Sequence, residues 1–232
     1  MATGERPRLP DIPGVEHCIS SDDLFSLMEP PGKTLVIGAS YVALECAGFL
    51  VSLGFDTTVM VRSIFLRGFD QQCANIIGNH LEKEAGAKML KTTVPVSVEK
   101  LESGKLKGNY KQIYSEITDN LVTMKNNETG EESSDEFDTV MMAIGREPCT
   151  RGIGFDNVNV ELAKNGKVIV NDKEETNVEN IYAIGDILLN RLELTPVAIQ
   201  VDDGTFRFFL NLRFFYRLAD ILPVAFMVAV KN

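Results

Sequence analysis

Thr34-Leu35-Val36-Ile37 is a short apolar, β-rich run that stops at Gly38, the pattern of a strand covered on both faces. Directly after it, Tyr41 to Leu53 keeps apolar and small residues (Val42, Ala43, Ala47, Leu50) at helical spacing. The pattern ends at Gly54, a natural helix stop. Thr57 to Val61 is again β-rich. Strand, tight turn, helix and strand in that order form a βαβ unit. Its crossover makes the two strands parallel, so the chain is expected to build on a doubly wound α/β sheet.

The turn between the first strand and the helix reads Gly38-Ala39-Ser40-Tyr41-Val42-Ala43, where such a unit places a dinucleotide-binding turn. Gly38 permits the tight turn, Ser40 takes the place of the middle glycine and adds a hydroxyl donor, and Ala43 lets the helix pack on the strand. A pyrophosphate would meet free N–H groups at the helix start, where aligned peptide dipoles favour an anion. The end of the second strand sets which dinucleotide fits. An acidic residue there would hold the ribose 2′-hydroxyl of NAD, but Val61 is followed by Arg62 and Ser63, with Arg67 close behind. Two guanidinium groups and a hydroxyl suit a 2′-phosphate, because the Arg fork binds phosphate oxygens in pairs; NADPH is therefore expected over NADH. Tyr41 and Glu45 share the helix face toward the nicotinamide end. Spacing alone favours a packing role for Tyr41 and a solvated helix position for Glu45.

Asp70 to Glu84 carries a second helical pattern, and Val94 to Val98, Leu121 to Lys125 and Asp138 to Ile144 read as strands. Asn126 to Gly130, followed by Glu131 and Glu132, reads as a solvated hairpin tip. Residues 1 to 33, rich in Pro, Gly and Asp, read as a connector. It contains a short helix starting at Ser20 or Ser21, with Asp22 and Asp23 at the positive end. Lys164-Asn165-Gly166-Lys167 reads as a hairpin and Ile181-Tyr182-Ala183-Ile184 as a strand ending at Gly185-Asp186.

Composition narrows the function. With 33 acidic and 23 basic residues the net charge is −10, which repels phosphate backbones, and no Lys/Arg cluster offsets it; nucleic acid is not an expected partner. Cys18, Cys46, Cys73 and Cys149 show neither zinc spacing nor a disulfide framework, so reduced thiols are expected. His17 and His80 lie too far apart for a metal cluster, and no metal is expected. Met1 to Pro7 lacks the basic start and apolar run of a signal peptide, which points to the cytoplasm. Residues 201–232 crowd Phe206, Phe208, Phe209, Phe214, Phe215, Tyr216 and Phe226 together, but Arg207, Arg213, Arg217, Asp220 and Pro223 interrupt them. A span needs roughly 20 largely uncharged residues, so a poorly packed or partner-buried tail is expected rather than a membrane helix.

Eight motifs, taken together, resemble the large, animal-type thioredoxin reductases, whose core the thioredoxin glutathione reductases share. They are Ala2-Thr3-Gly4, Ile19 to Phe25, Gly38 to Leu50, Val59 to Ser63, Leu66 to Asp70, Ala143 to Arg146, Tyr182 to Asp186 and Leu194 to Gln200. The resemblance runs from about residue 2 to 200, with the motifs in family order. It implies an NADPH-dependent, FAD-containing disulfide reductase, with an NADPH domain at 31 to 146 set between FAD-domain segments at 1 to 30 and 147 to 200. On that resemblance Gly38, Ala39, Ser40, Tyr41, Val42, Ala43, Leu44, Glu45, Arg62, Ser63 and Arg67 bind NADPH, joined by Arg8, Ile144, Gly145 and Arg146. Tyr41 matches an aromatic lid over the flavin and Glu45 a carboxylate near the carboxamide. Thr3 matches an FAD contact, Asp186 the carboxylate on the ribityl chain, and Glu193, Leu194 and Thr195 the segment beside the ring. Thioredoxin or glutathione disulfide would be the electron acceptor and a homodimer the family assembly, in the cytoplasm or in mitochondria.

The departures from the family are equally specific. The 232 residues hold no Gly-rich FAD fingerprint, no Cys-x4-Cys redox pair, no interface domain with a catalytic His and no redox-active tail. After Gln200 the sequence leaves the family pattern. No catalytic residue is therefore assigned. One expectation is a piece of such a reductase; the alternative is a nucleotide-binding chain without turnover. An NAD-using dihydrolipoamide dehydrogenase relative is disfavoured by Arg62 and Arg67.

Overall fold

The computed structural model describes residues 1–101, 120–194 and 196–197. The expected contact at Thr195 and the segment 201–232 lie outside them. In chain order the first elements are β1 (Glu5–Pro7), β2 (Ile19–Ser20), α1 (Ser21–Leu24), β3 (Thr34–Ile37), α2 (Tyr41–Ser52), β4 (Thr57–Val61) and α3 (Gln71–Lys83). They are followed by β5 (Lys88–Lys91), β6 (Thr93–Lys100), β7 (Asn120–Asn126), β8 (Glu132–Phe137), β9 (Thr139–Met142), β10 (Arg146–Pro148) and α4 (Phe155–Val158). The chain divides into two compact units, Pro7–Gly145 and Met1–Arg6 with Arg146 onward.

In Pro7–Gly145 a five-stranded sheet runs in the order β2-β9-β3-β4-β5, parallel throughout. β3 registers Thr34 on Thr57 and on Thr139, and Ile37 on Met60 and on Met142. Side chains alternate across such a sheet. Val36, Val59, Val61 and Met141 pack with Leu44, Ala47 and Leu50 of α2 and Ala74 and Leu81 of α3. Leu35, Ile37, Met60, Val140 and Met142 meet Val98, Val122, Met124 and Phe137 of the antiparallel sheet β6-β7-β8. Both faces are covered, which is why β3 and β4 read as unbroken buried runs.

This α/β architecture with a parallel sheet is the expected class, but several boundaries move. The unit begins at Pro7, because Ile19 and Ser20 pair with Met141 and Met142 and because Val98 N–H donates to the Pro13 carbonyl at 2.9 Å. The connector thus supplies an edge strand. Ser20 caps α1 in a capping box with Asp23, whose carboxyl is held below its ordinary range by the Ser20 backbone N–H. β9 starts at Thr139 because Asp138 is turned to the Lys33 N–H at 2.7 Å.

In the other unit, β1 pairs with β10, and a small core gathers Phe155, Val160, Val168, Ala183, Ile187 and Leu188. Ile181 to Ile184 forms no strand there. Ile181, Tyr182 and Ala183 step antiparallel past Thr176, Glu175 and Glu174, but only Tyr182 and Glu175 form a bridge, and Ile184 N–H turns to the Met1 carbonyl, so the pairing ends before a ladder accumulates. Lys164 to Lys167 does turn the chain back, between the antiparallel bridge of Leu162 and Val168.

Candidate functional site

Gly38 sits at φ +134°, and a Cβ there would lie 2.1 Å from the Ala143 carbonyl oxygen and 3.5 Å from Ala43 Cβ. Only glycine lets β3 turn this close to the end of β9. Gly38 N–H donates to the Met60 carbonyl at 3.0 Å, which joins the turn to β4. Ala39 follows half-buried. Ser40 occupies the cap position of α2 with an extended backbone, but its hydroxyl makes no cap and lies 3.4 Å from the Ala143 carbonyl. The first turn of α2 therefore has no side-chain cap and no acidic residue, and its N–H groups face the turn. Ala43 and Leu44 are buried, Val42 is half-buried, and Tyr41 and Glu45 are exposed, so the motif splits between packing and presentation.

The loop leaving β4 holds Arg62, Ser63 and Arg67, all exposed and without an acidic residue among positions 62–69. Arg67 Nη2 donates to Ser63 Oγ at 2.8 Å, while Asn127 Nδ2 lies 3.5 Å from the Arg62 carbonyl. Leu66, at φ +44°, donates its N–H to the Ala39 carbonyl at 2.8 Å and so ties the loop to the Gly38 turn. Gln71 Nε2 reaches the carbonyls of Phe65, Leu66 and Phe69 at 3.4, 3.3 and 3.1 Å. Asp70 caps α3 by accepting from Cys73 N–H at 2.9 Å, a bond that holds its carboxyl below the usual range.

Arg8 is exposed and its N–H donates to the Gly145 carbonyl at 2.9 Å. Ile144 and Gly145 are exposed just past β9. Arg146 belongs to the other unit, where its guanidinium donates to the Glu5 carbonyl at 2.6 Å. Four parts of the expected nucleotide site thus lie in one unit: the Gly38 turn, the Arg62–Arg67 loop, Arg8 and Ile144–Gly145. Arg146 does not.

In the second unit Asp186 lies in the turn Gly185–Ile187, on the wall of a cavity of about 340 Å³ shared with Leu188, Asn190, Arg191 and Leu192. Thr3 lines a different cavity of about 400 Å³, with Arg6, Cys149 and Thr150. Leu194 is 53% exposed. A residue that sequence reasoning missed joins these segments: the Lys167 ammonium donates to the Asp186 carbonyl at 2.9 Å, lies 3.0 Å from Glu5 Oε1 and pairs with Glu193. Lys167 and Glu5 are 11% and 4% exposed at their side chains. Burial works against the Lys167 charge, but the hydrogen bonds to Glu193 and Glu5 outweigh it and hold its pKa above 10.5. Burial pushes the Glu5 carboxyl up, with Lys167 opposing. No local pattern announces this cluster, since its partners are far apart in the chain.

All four cysteines are free. Burial pushes the Cys18 thiol up to about 11 and also raises Cys46 in α2, so neither is poised as a thiolate. Among the described residues no His, Cys, Asp and Glu group could hold a metal, and no helix is long and apolar enough to cross a membrane.

The sequence pattern of the pyridine nucleotide-disulphide oxidoreductase family matches residues 1–201. Thioredoxin reductase SEP1 of Emiliania huxleyi is 50% identical over 210 residues, 86% of this chain and 39% of that protein. A solved structure of the HOCl-induced flavoprotein disulfide reductase RclA of Escherichia coli, as its Cu(II) complex, is similar with a TM-score of 0.72 at 21% identity. That match covers 88% of this chain and 42% of the other, and it shows a shared fold. The chain spans less than half the length of either relative. It belongs to the pyridine nucleotide-disulphide oxidoreductase family.

Proposed function

We propose that this chain carries the NADPH-binding arm of an FAD-containing thioredoxin-disulfide reductase. The observation that carries the reading is the Ser63–Arg67 pair, 2.8 Å apart on the loop where an acidic residue would select NAD. A dinucleotide fits the residues present. Gly38 leaves no room for a Cβ, the start of α2 keeps its N–H groups uncapped for a pyrophosphate, and Arg62, Ser63 and Arg67 offer charge and donors to a 2′-phosphate. Tyr41 and Glu45 stand exposed on the same helix, available to the nicotinamide end, and Arg8, Ile144 and Gly145 border the site.

FAD would take hydride from NADPH and pass its electrons to a disulfide. Asp186 is offered to the ribityl chain at its cavity wall, Glu193 is fixed by Lys167, and Leu194 stands exposed beside them, while Thr3 lines a separate cavity. The 50% identity to a thioredoxin reductase supports thioredoxin as the acceptor, with glutathione disulfide as the other candidate. Four free cysteines suit a reducing compartment, the cytoplasm or mitochondria.

A second reading has its own support. None of the four cysteines has Cys-x4-Cys spacing, and the half-buried Cys18 and the buried Cys46 both have raised pKa, so these 232 residues bind nucleotide without reducing disulfides. Titration calorimetry separates cofactor selection from turnover. Arg62→Ala and Arg67→Ala should each weaken NADPH about tenfold or more, since a charge-assisted contact contributes about 1.5 to 3 kcal/mol, and should leave NADH nearly unchanged. Equal losses for both cofactors would contradict the NADPH reading.

A further inference from the structure

We infer that Gln71 is a positioning residue for cofactor choice: its side-chain amide clamps the arch that presents Arg67. The inference rests on the NADPH reading above and extends it to a residue outside the contact set. Gln71 is the first residue of α3, so its backbone is fixed by a helix whose cap, Asp70, is in place. From there Nε2 points back to three carbonyl oxygens, those of Phe65, Leu66 and Phe69, at 3.1 to 3.4 Å. The amide shares two protons among three acceptors, drawing together both sides of Arg67.

The arch needs such a clamp. Leu66 holds φ +44° and Gly68 φ +94°, so the two residues flanking Arg67 both lie in the left-handed region, one of them without glycine's freedom. The Phe69 N–H already donates to the Leu66 carbonyl at 3.0 Å, which closes the turn, but among these contacts only the Gln71 amide also reaches the Phe65 and Phe69 carbonyls and offsets the repulsion of three oxygens converging on one point. With the donor present, the Arg67 guanidinium rests on Ser63 Oγ at 2.8 Å before any ligand arrives. Without it, ordering the arch and its arginine becomes a cost of binding the 2′-phosphate. NADH makes no demand on the arch, so the effect of Gln71 is on selectivity. A role in folding alone would touch both cofactors alike.

The test titrates the 232-residue chain and its Gln71→Leu, Gln71→Glu, Gln72→Leu and Arg67→Ala variants with NADPH and with NADH, and follows amide exchange at Leu66. Gln72 is the exposed neighbour and serves as the control. Gln71→Leu is expected to weaken NADPH about fivefold, the factor of one net hydrogen bond, with NADH unchanged and faster exchange at Leu66. Gln71→Glu, which places an acceptor against the three carbonyls, should do the same, and it stands in if the leucine variant does not fold. Unchanged NADPH affinity in both Gln71 variants, or equal losses for NADPH and NADH, would overturn the clamp. If Arg67→Ala weakens NADPH while the Gln71 variants do not, only the clamp falls. If Arg67→Ala has no effect, the NADPH reading falls and takes the clamp with it.

Discussion

Gly38 and Lys167 mark the two extremes of what a single residue reveals. At Gly38 the close approach to Ala143 leaves no space for a methyl group, and φ +134° disfavours any L side chain. Gly38→Ala should therefore destabilise the fold by about 1 to 3 kcal/mol in chemical denaturation, the usual cost of forcing an extra methyl into a packed site. An unchanged midpoint would show that the turn relaxes freely. Lys167 is argued from charge. Replacing it with methionine leaves the buried Glu5 with only the Arg146 guanidinium, 4.0 Å away, in place of the ammonium at 3.0 Å, at a cost of up to about 3 kcal/mol at neutral pH. Glu5 already has its pKa raised by burial, so its folded state gains stability from protonation. The loss in Lys167→Met should shrink as pH falls, because burial raises the Glu5 carboxyl and removing Lys167 raises it further, so that it takes up its proton before the ordinary carboxylate range is reached. In the wild type the raised Lys167 pKa stabilises the fold below 10.5, and that contribution is lost as pH climbs past it. A pH-independent difference between the two proteins would contradict the pairing. Gly38 is readable from its neighbours in sequence, a β-rich run before it and a helix after it. Lys167 is not, because Glu5 and Glu193 meet it only once the chain has folded.

At the scale of elements, α3 decides how firmly the loop after β4 is held. Gly78 lies on its buried face, where an added Cβ would stand 2.5 Å from the ring of Phe65, itself 8% exposed. In an open helix Gly→Ala gains about 1 kcal/mol. Here Gly78→Ala is expected to lose stability by a similar amount or more, because the Phe65 ring must leave its place. Adding Phe65→Leu should recover part of the loss, and a double-mutant cycle showing no coupling would contradict the contact. The βαβ unit from Thr34 to Val61 was legible because local periodicity and burial agree: both faces of β3 and β4 are covered. Ile181 to Ile184 has the same β-rich composition and forms no strand, since nothing in its own residues says that its antiparallel neighbour is lost at Ile184, which turns to Met1. Ile19–Ser20 failed the other way: two residues carry no periodicity, and only pairing with Met141 and Met142 makes them a strand. Sequence groups Ser63 with Arg67 as phosphate partners, but their contact in a loop and the reach of Gln71 to three carbonyls both depend on how the chain after β4 turns into α3.

For the whole molecule, the cofactor reading and the turnover reading separate. Disulfide reduction from a flavin needs two thiols close enough to bridge, with Cα atoms about 4.4 to 6.8 Å apart, one of them a thiolate. Cys46 and Cys18 have pKa values raised by burial, and all four thiols are free. These 232 residues, supplied with FAD, should show no NADPH-dependent reduction of thioredoxin or glutathione disulfide above background. Turnover that vanishes on mutating Cys46 or Cys149 would contradict this. The central claim lies upstream of turnover, in the basic loop after β4 that stands where an acidic residue would select NAD. Its most direct test is calorimetric titration of the wild-type chain with NADPH and NADH under identical salt. The account predicts NADPH binding at least about tenfold tighter, a difference of about 1.4 kcal/mol; equal affinities, or tighter NADH, would contradict it.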